Sequence, residues 1–314
     1  MKERQWIAKY FFVLTIGTGL VGPTAPAALA QAAPGQTTYA SASAAVTALV
    51  AACKSGDQDE LLKILGPSGK DLISSGDPVA DKKSQEGFAK SYAVKHKLTS
   101  EAQGFETLTV GANDWPMPIP VVRDGERWYF DSAKGHDEVI NRRIGENELG
   151  AIAVCEGYVA AQKEYAARGH DGSPAGIYAQ KLVSAEGKHD GLYWPQVPGK
   201  PMSPMGPAVA AAAGEGYTGG GSEPYHGYYY RLLKEQGPDA EGGAKSYLVD
   251  GKLSGGFALL AYPATYGNTG IMTFLVDKNG VVLQKDLGDD TANLAKGITA
   301  YNPTSDWVAV DDTN

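Results

Sequence analysis

Aromatic and histidine side chains are concentrated in the second half of the sequence, where 13 of the 17 tyrosines follow residue 150. Aromatic faces pack on sugar rings and peptides while their polar tips form hydrogen bonds. Ordinary sheet packing is the alternative, since Tyr228 and Tyr230 would share one face of a strand. Both interpretations stay open for the binding candidates Tyr225, His226, Tyr228, Tyr230, Tyr193 and Trp194.

Glu148 is a further candidate because it interrupts an apolar helix face. Glu148 and Gln162 both lie on that face, each seven residues from Cys155. An isolated buried carboxylate is costly, so Glu148 must be paired, hydrogen-bonded or protonated. The pattern favours a position at a wet seam between two folded halves, where Glu148 orients the helix. A ligand-binding or catalytic role is the alternative.

Three His–Asp pairs, at residues 136–137, 170–171 and 189–190, contain the residue types that bind metal ions. Neighbouring residues of a helix or strand point apart, and Asp171 and Asp190 each precede a glycine, as turn residues do. Caps and turns are therefore the favoured interpretation. Because zinc, EF-hand, P-loop, dinucleotide and nucleophile-elbow motifs are missing from the sequence, it predicts no metal site, no cofactor and no catalytic residue.

Cys53 and Cys155 are the only cysteines. In an oxidising compartment two cysteines can form a disulfide, which here would tie the first predicted helix to the longest one. Two buried, unpaired thiols are the alternative, and the geometry of the folded chain decides between them.

A long amphipathic helix, predicted over residues 136–168, must position most of these side chains. Asp137 is its predicted N-cap and Gly169 the residue after its end. Such a helix covers roughly 45 Å at 1.5 Å per residue, more than one domain needs, so we expect it to join two modules. Its apolar residues fall within less than half of the circumference: Ile140, Ile144, Ala151, Ile152, Val154, Cys155, Tyr158, Val159, Tyr165 and Ala166.

Residues 1–30 have the pattern of a secretory signal peptide. Three basic residues precede an apolar run from Tyr10 to Val21, and the segment ends in small residues at Ala30. The run is shorter than the roughly 20 residues that a membrane span needs. We expect cleavage near Ala30 and a soluble periplasmic or secreted protein without a membrane span; an uncleaved amphipathic anchor is the alternative.

The charge balance argues against nucleic acid as a partner. The full chain has a net charge of −8, and the loss of residues 1–30 would remove more basic than acidic residues. Nucleic-acid-binding proteins normally show a basic patch, and none is visible in the sequence. The remaining chain is long and apolar enough for two cores.

An N-terminal α+β module is predicted over residues 41–135, after a disordered leader at residues 31–40. Its helices precede strands that end in a tight hairpin at Asp124-Gly125. The order of helix "SGDQDELLKIL" and strands ending "DGERWYFD" resembles the cone-shaped fold of the nuclear-transport-factor-2 and SnoaL-like superfamily. That resemblance implies a curved antiparallel sheet around a helix, with a cone that can hold a small ligand.

The C-terminal module, residues 169–314, is rich in glycine and tyrosine, and its last part predicts an antiparallel meander. The helix "NELGAIAVCEGYVAAQKEYA" followed later by "MTFLVDKNGVVLQKDLG" resembles the globular head of type IV pilin-like proteins. That resemblance implies a β domain packed on the C-terminal half of the long helix. The hydrophobic N-terminal helix of pilins has no counterpart in this sequence.

Taken together, the chain is identified as a member of a bacterial family of exported proteins catalogued as domain of unknown function 2950. The stretches "GANDWPMPIPVVRDGERWYFD", "RRIGENELGAIAVC" and "PYHGYYYRLLKEQG" carry the resemblance. The family implies no particular reaction. We therefore expect a non-catalytic cell-envelope protein that binds a peptide, a glycan or another envelope protein. A small-ligand carrier or enzyme using the N-terminal cone is the alternative.

Overall fold

The computed structural model describes residues 31–200, 202–215, 217 and 223–310, so the predicted signal peptide lies outside the described residues. The fold is α+β, as the sequence predicts, with a long central helix and antiparallel sheets. The N-terminal half contains α1 (Ala42–Ser55), α2 (Gln58–Leu65), a 3₁₀ turn (Pro67–Gly69), α3 (Lys70–Ile73), α4 (Pro78–Val94), β1 (His96–Ala102), β2 (Phe105–Val110), β3 (Trp115–Pro116), β4 (Val121–Asp124) and β5 (Arg127–Phe130).

The N-terminal sheet has the strand order β1-β2-β4-β5, with β3 paired to β2, and every pairing is antiparallel. The hairpin predicted at Asp124-Gly125 connects β4 to β5. Apolar residues of α1 and α2 cover one face of this sheet and form a buried core with it. The core includes Val46, Leu49, Leu61, Ile64, Leu108, Val121 and Phe130.

The leader ahead of α1 is bonded to this half rather than free. The Gln36 side-chain amide donates to the backbone carbonyls of Ile64 (3.0 Å) and Phe130 (2.8 Å). Tyr39 exchanges two backbone hydrogen bonds with Trp128. The expectation of disorder over residues 31–40 therefore fails at residues 36–39. Composition suggested a flexible tail, but one glutamine satisfies carbonyls from two separate elements.

The long helix α5 runs from Ser132 to Ala166. It begins earlier than predicted because the Asp131 side chain, rather than Asp137, accepts the capping hydrogen bond, from the Lys134 amide. The helix also ends earlier than predicted, because its C-cap is Ala167 and Gly169 is therefore not the first residue after the cap. The apolar stripe predicts the body of α5 correctly, whereas its polar first turn carries no periodic signal.

Both halves of the chain pack against α5. Near its start, Gly135 lies so close to Ile119 of the N-terminal half that an added methyl group would come within 2.7 Å of the Ile119 backbone. Farther along, Cys155 and Tyr158 are almost fully buried in the C-terminal core. The two halves of the chain therefore contact the same helix.

The C-terminal half forms a five-stranded antiparallel sheet in the order β14-β13-β12-β11-β6, which packs against α5. None of the described helices is long and apolar enough to cross a lipid bilayer. The elements of this half are α6 (Gly206–Glu215), β6 (Tyr228–Leu233), β7 (Glu235–Gln236), β8 (Lys245–Ser246), β9 (Leu248–Val249), β10 (Lys252–Leu253), β11 (Ala258–Pro263), β12 (Met272–Asp277), β13 (Val282–Asp286), α7 (Thr291–Gly297) and β14 (Val308–Ala309).

Candidate functional site

A cleft of about 180 Å³ lies beside the C-terminal end of α5. It combines aromatic, histidine and charged side chains in one concave surface, the kind of surface at which small ligands bind. We call it the terminal cleft. Its lining consists of Glu164, Arg168, His170, His189, Trp194, Lys200, Met202 and Pro204.

Trp194 forms the aromatic wall of the terminal cleft. Its half-buried indole lies 4.5 Å from the His189 ring, 5.5 Å from the His170 ring and 6.5 Å from the Tyr165 ring, between ring centroids. The contacts with His189 and Tyr165 are edge-to-face, a favourable arrangement for aromatic rings. These neighbours hold the indole in one orientation, so it can act as a preformed platform.

The last turn of α5 positions the two histidines. Tyr165 is 6% exposed, and its hydroxyl donates to the His189 backbone carbonyl at 2.6 Å. The His170 ring stacks on the Tyr165 ring at 4.2 Å, and its Nε2–H donates to the Tyr165 carbonyl at 3.1 Å. Burial raises the pKa of Tyr165 to about 12, and Asp171 and Asp190 contribute. This hydroxyl therefore stays a proton donor at neutral pH.

Asp171 and Asp190 hold the loops that carry the histidines. Asp171 has a positive φ of 49° and accepts a hydrogen bond from the His189 amide at 2.6 Å. Asp190 pairs with Lys181 at 2.6 Å and accepts from the Ala185 amide at 2.8 Å. Both act as the turn residues that the sequence favours. Among the described residues, no group of three histidine, cysteine or acidic side chains could hold a metal ion.

The charge of His170 should make stability depend on pH. Burial lowers the pKa of His170. The neighbouring His189 and Arg168 lower this pKa further, whereas the hydrogen bond to the Tyr165 carbonyl and the Asp171 carboxylate raise it. The unfolded histidine, with a pKa of about 6.5, then binds protons more readily than the folded one. His170 therefore contributes stability above that pH, and this contribution is lost as the pH falls through the folded-state pKa.

We accordingly expect the free energy of unfolding to decrease more for the wild type than for His170→Gln between about pH 8 and about pH 5. Glutamine keeps a side-chain N–H donor for the Tyr165 carbonyl but cannot take up a proton. Urea titrations of both proteins at the two pH values measure the difference. If the free energy of unfolding decreased equally in the two proteins, His170 would not be a cause of the pH dependence.

The predicted binding residues do not form one site. Trp194 lines the terminal cleft, whereas Tyr193 pairs through its backbone with Leu182 and Ser184 and is not part of the lining. The remaining candidates lie beside the middle of α5: Tyr225, His226, Tyr228, Tyr230 and Glu148. Residues 148 and 165 are about 25 Å apart along the helix. The sequence alone missed Glu164, Arg168, His170, His189 and Lys200 as cleft residues, although the two His–Asp pairs near Tyr193 and Trp194 were a signal.

The tyrosines beside the middle of α5 are mainly packing residues. Tyr228 is fully buried, and its hydroxyl donates to the Met272 carbonyl at 2.8 Å. The Tyr230 hydroxyl donates to the Tyr225 carbonyl at 3.2 Å. The His226 ring fills the space over Gly150, where an added methyl group would lie 2.9 Å from its Cγ. The alternative of sheet and seam packing thus describes this group best.

Glu148 joins α5 to the C-terminal sheet. One of its carboxylate oxygens, Oε1, accepts hydrogen bonds from the backbone amides of Ile271 and Met272, both at 2.9 Å. The half-buried carboxylate is therefore hydrogen-bonded, as its position on the apolar face requires. Its contacts are those of a residue that orients the helix.

Glu148→Ala should lower the free energy of unfolding by about 2 kcal/mol, because two partly buried amides lose their acceptor. Glu148→Gln keeps an acceptor oxygen in place and should cost less than about 1 kcal/mol. Urea denaturation measures the free energy of unfolding of both variants. A Glu148→Ala protein as stable as the wild type would overturn this structural assignment.

Cys53 and Cys155 are both free and buried. Cys53 belongs to the N-terminal core and Cys155 to the C-terminal core. Burial raises the pKa of the Cys53 thiol to about 11 and that of Cys155 to about 12. The structure therefore has two unpaired, unreactive thiols, which was the alternative to a disulfide.

A family model described as "Protein of unknown function (DUF2950)" matches residues 36–310. The search of curated proteins and the search of solved structures gave no match. The resemblances of the two halves to the cone fold and to the pilin head therefore stay predictions. The matched residues include both modules as well as α5 and the terminal cleft. The chain belongs to the DUF2950 family.

Proposed function

We propose that this protein acts outside the cytoplasm as a non-catalytic binding protein of the cell envelope. Its ligand is a glycan, one ring of which occupies the terminal cleft. The last turn of α5 and the loops that follow it hold the cleft. The proposal extends the expectation of an exported envelope protein, which rests on the signal-like sequence of residues 1–30.

The position of Trp194 carries this proposal. A half-buried indole, held by two histidine rings and surrounded by charged side chains, offers an apolar face and hydrogen-bonding groups together. Sugar rings have the matching surface, because their C–H faces are apolar and their edges carry hydroxyl groups. A volume of about 180 Å³ is small beside the roughly 300–1,000 Å³ of pockets for drug-sized ligands. One ring at the end of a longer glycan fits this size best.

The number of carboxylates in the terminal cleft favours glycan binding over glycan hydrolysis. Most glycosidases place two carboxyl groups on either side of the bond that they cleave. Within the described lining, Glu164 is the single carboxylate. Asp171 lies nearby, but it accepts the His189 amide and so supports a loop.

The packing of the N-terminal half disfavours the alternative of a ligand carrier or enzyme there. Leu108, Val121 and Phe130 of the sheet are at most 1% exposed under α1 and α2. The protein's own side chains thus occupy the space between this sheet face and the helices. A ligand in that space would have to displace them.

A glycan array of neutral and acidic oligosaccharides, followed by titration calorimetry on the strongest binder, tests the proposal. Trp194→Ala should raise the Kd about 30-fold, since loss of a central aromatic contact costs about 2 kcal/mol. Trp115→Ala is the matched control, because this tryptophan is 43% exposed on the N-terminal half. An array without binders, or equal Kd values for wild type and Trp194→Ala, would contradict the proposal.

A further inference from the structure

We propose that the ligand of the terminal cleft is anionic, with a carboxylate or phosphate on the ring held by Arg168 and Lys200 while the ring packs on Trp194. This inference rests on the proposed glycan-binding function and specifies the chemical class of the glycan. Three observations support it. The cleft contains two cations, the neighbouring aspartates Asp171 and Asp190 already have hydrogen-bond partners, and the side chains of Arg168 and Lys200 suit an anion.

The rim of the terminal cleft is cationic in an acidic protein. The chain has a net charge of −8, yet the described lining holds the two cations Arg168 and Lys200 and one acid, Glu164. Both Arg168 and Lys200 are exposed, and within the described residues neither forms an ion pair. Two cations are thus available to a ligand.

The two aspartates just outside the cleft already have hydrogen-bond or ion-pair partners. Asp190 pairs with Lys181 and accepts the Ala185 amide. Asp171 accepts the His189 amide, and its second oxygen lies 3.6 Å from His189 Nδ1. If either carboxylate turned toward Arg168, it would have to give up these contacts. The positive charge of the rim is therefore not neutralised by the loops that form it.

The two cations suit an anion that is attached to a ring. A guanidinium can donate two parallel hydrogen bonds to a carboxylate or phosphate, which fixes the anion's orientation. A lysine ammonium contributes a point charge from a flexible stem. With the indole of Trp194 in the same cleft, the ring and its anionic substituent would be recognised by separate groups.

A competing explanation is that Arg168 only stabilises the negative end of the α5 dipole, which lies next to it. In that case Arg168→Gln should lower the melting temperature and leave ligand affinity unchanged. Lys200 lies outside the helix and would have no such role. Separate measurements of stability and affinity for both variants therefore distinguish the two explanations.

The test is titration calorimetry with trigalacturonic acid, N-acetylmuramic acid and glucose 6-phosphate. Each acid has a neutral counterpart: the methyl esters of the first two and glucose for the third. We expect at least one acid to bind about tenfold tighter than its neutral counterpart, since one or two charge-assisted hydrogen bonds are lost with the anion. Comparing the affinities of the two carboxylates with that of the phosphate shows which type of anion the cleft prefers.

Arg168→Gln and Lys200→Gln should each weaken binding of that acid by about tenfold, and binding of its neutral counterpart, which keeps only neutral hydrogen bonds to these positions, by about threefold or less. Trp194→Ala should weaken both forms. Equal affinity for acid and neutral forms, or unchanged affinity in both cation variants, would overturn the anionic ligand but leave glycan binding intact. If Trp194→Ala changes nothing and the array has no binder, the proposed function itself fails.

Discussion

Replacing Arg143 with alanine should lower the free energy of unfolding by about 3 kcal/mol, because this α5 side chain joins the two halves of the chain. Its guanidinium donates to the carbonyls of Asp71 and Leu72, both at 2.7 Å, and to the side-chain oxygen of Asn268. The two carbonyls end the short helix α3 and have no partner within it. Alanine would leave the end of α3 and Asn268 without their common donor.

Urea denaturation followed by circular dichroism measures this loss. Arg142→Ala is the control, since the neighbouring Arg142 is exposed on α5, where it pairs with Glu138 at 2.6 Å and lies 4.9 Å from the Trp115 ring. An exposed ion pair and an exposed cation–π contact together contribute about 1 kcal/mol. If the two variants lost the same stability, Arg143 would not link the modules.

Gln162→Leu should cost about 4 kcal/mol although leucine is apolar and of similar size. Gln162 is fully buried, and its amide both accepts from the Ala179 N–H and donates to the Ala179 carbonyl, each at 2.9 Å. It also donates to the Tyr158 hydroxyl at 3.0 Å. Leucine would leave a buried backbone N–H and C=O unsatisfied, at about 1–3 kcal/mol each.

Gln180→Leu is the matched control for this prediction. Gln180 lies beside Ala179 but is only half-buried, and it makes a single bond to the Gly251 carbonyl at 2.9 Å. We expect it to cost less than about 1 kcal/mol in the same urea titration. A Gln162→Leu protein as stable as the wild type would show that Gln162 does not anchor the residues around Ala179 to α5.

Local patterns predicted the elements that bury a regular apolar face. The stripe from Ile140 to Ala166 predicted the body of α5, and the last part of the chain predicted the antiparallel meander that β11, β12 and β13 form. The pattern also showed that Glu148 needs polar partners and that Gln162 lies on the same apolar face. It could not identify the partners of either residue, because Met272 and Ala179 become their neighbours only when the chain folds.

Elements that depend on distant contacts could not be predicted from local patterns. The strand β1 is mostly exposed and polar, so it has no apolar alternation, and only its pairing with β2 makes it a strand. The terminal cleft escaped prediction for a related reason. His170 and His189 each look like a turn residue beside an aspartate, and the end of α5 brings both to Trp194.

Hydrogen exchange along α5 tests most directly whether one helix is shared by both halves and supports the terminal cleft at its end. We expect amides from Ser132 to Ala166, apart from the first and last turns, to exchange only through global unfolding and with one common free energy. A central stretch around Gly145 to Gly150 that exchanges as fast as an exposed loop would contradict this, because the helix would then consist of two independent pieces.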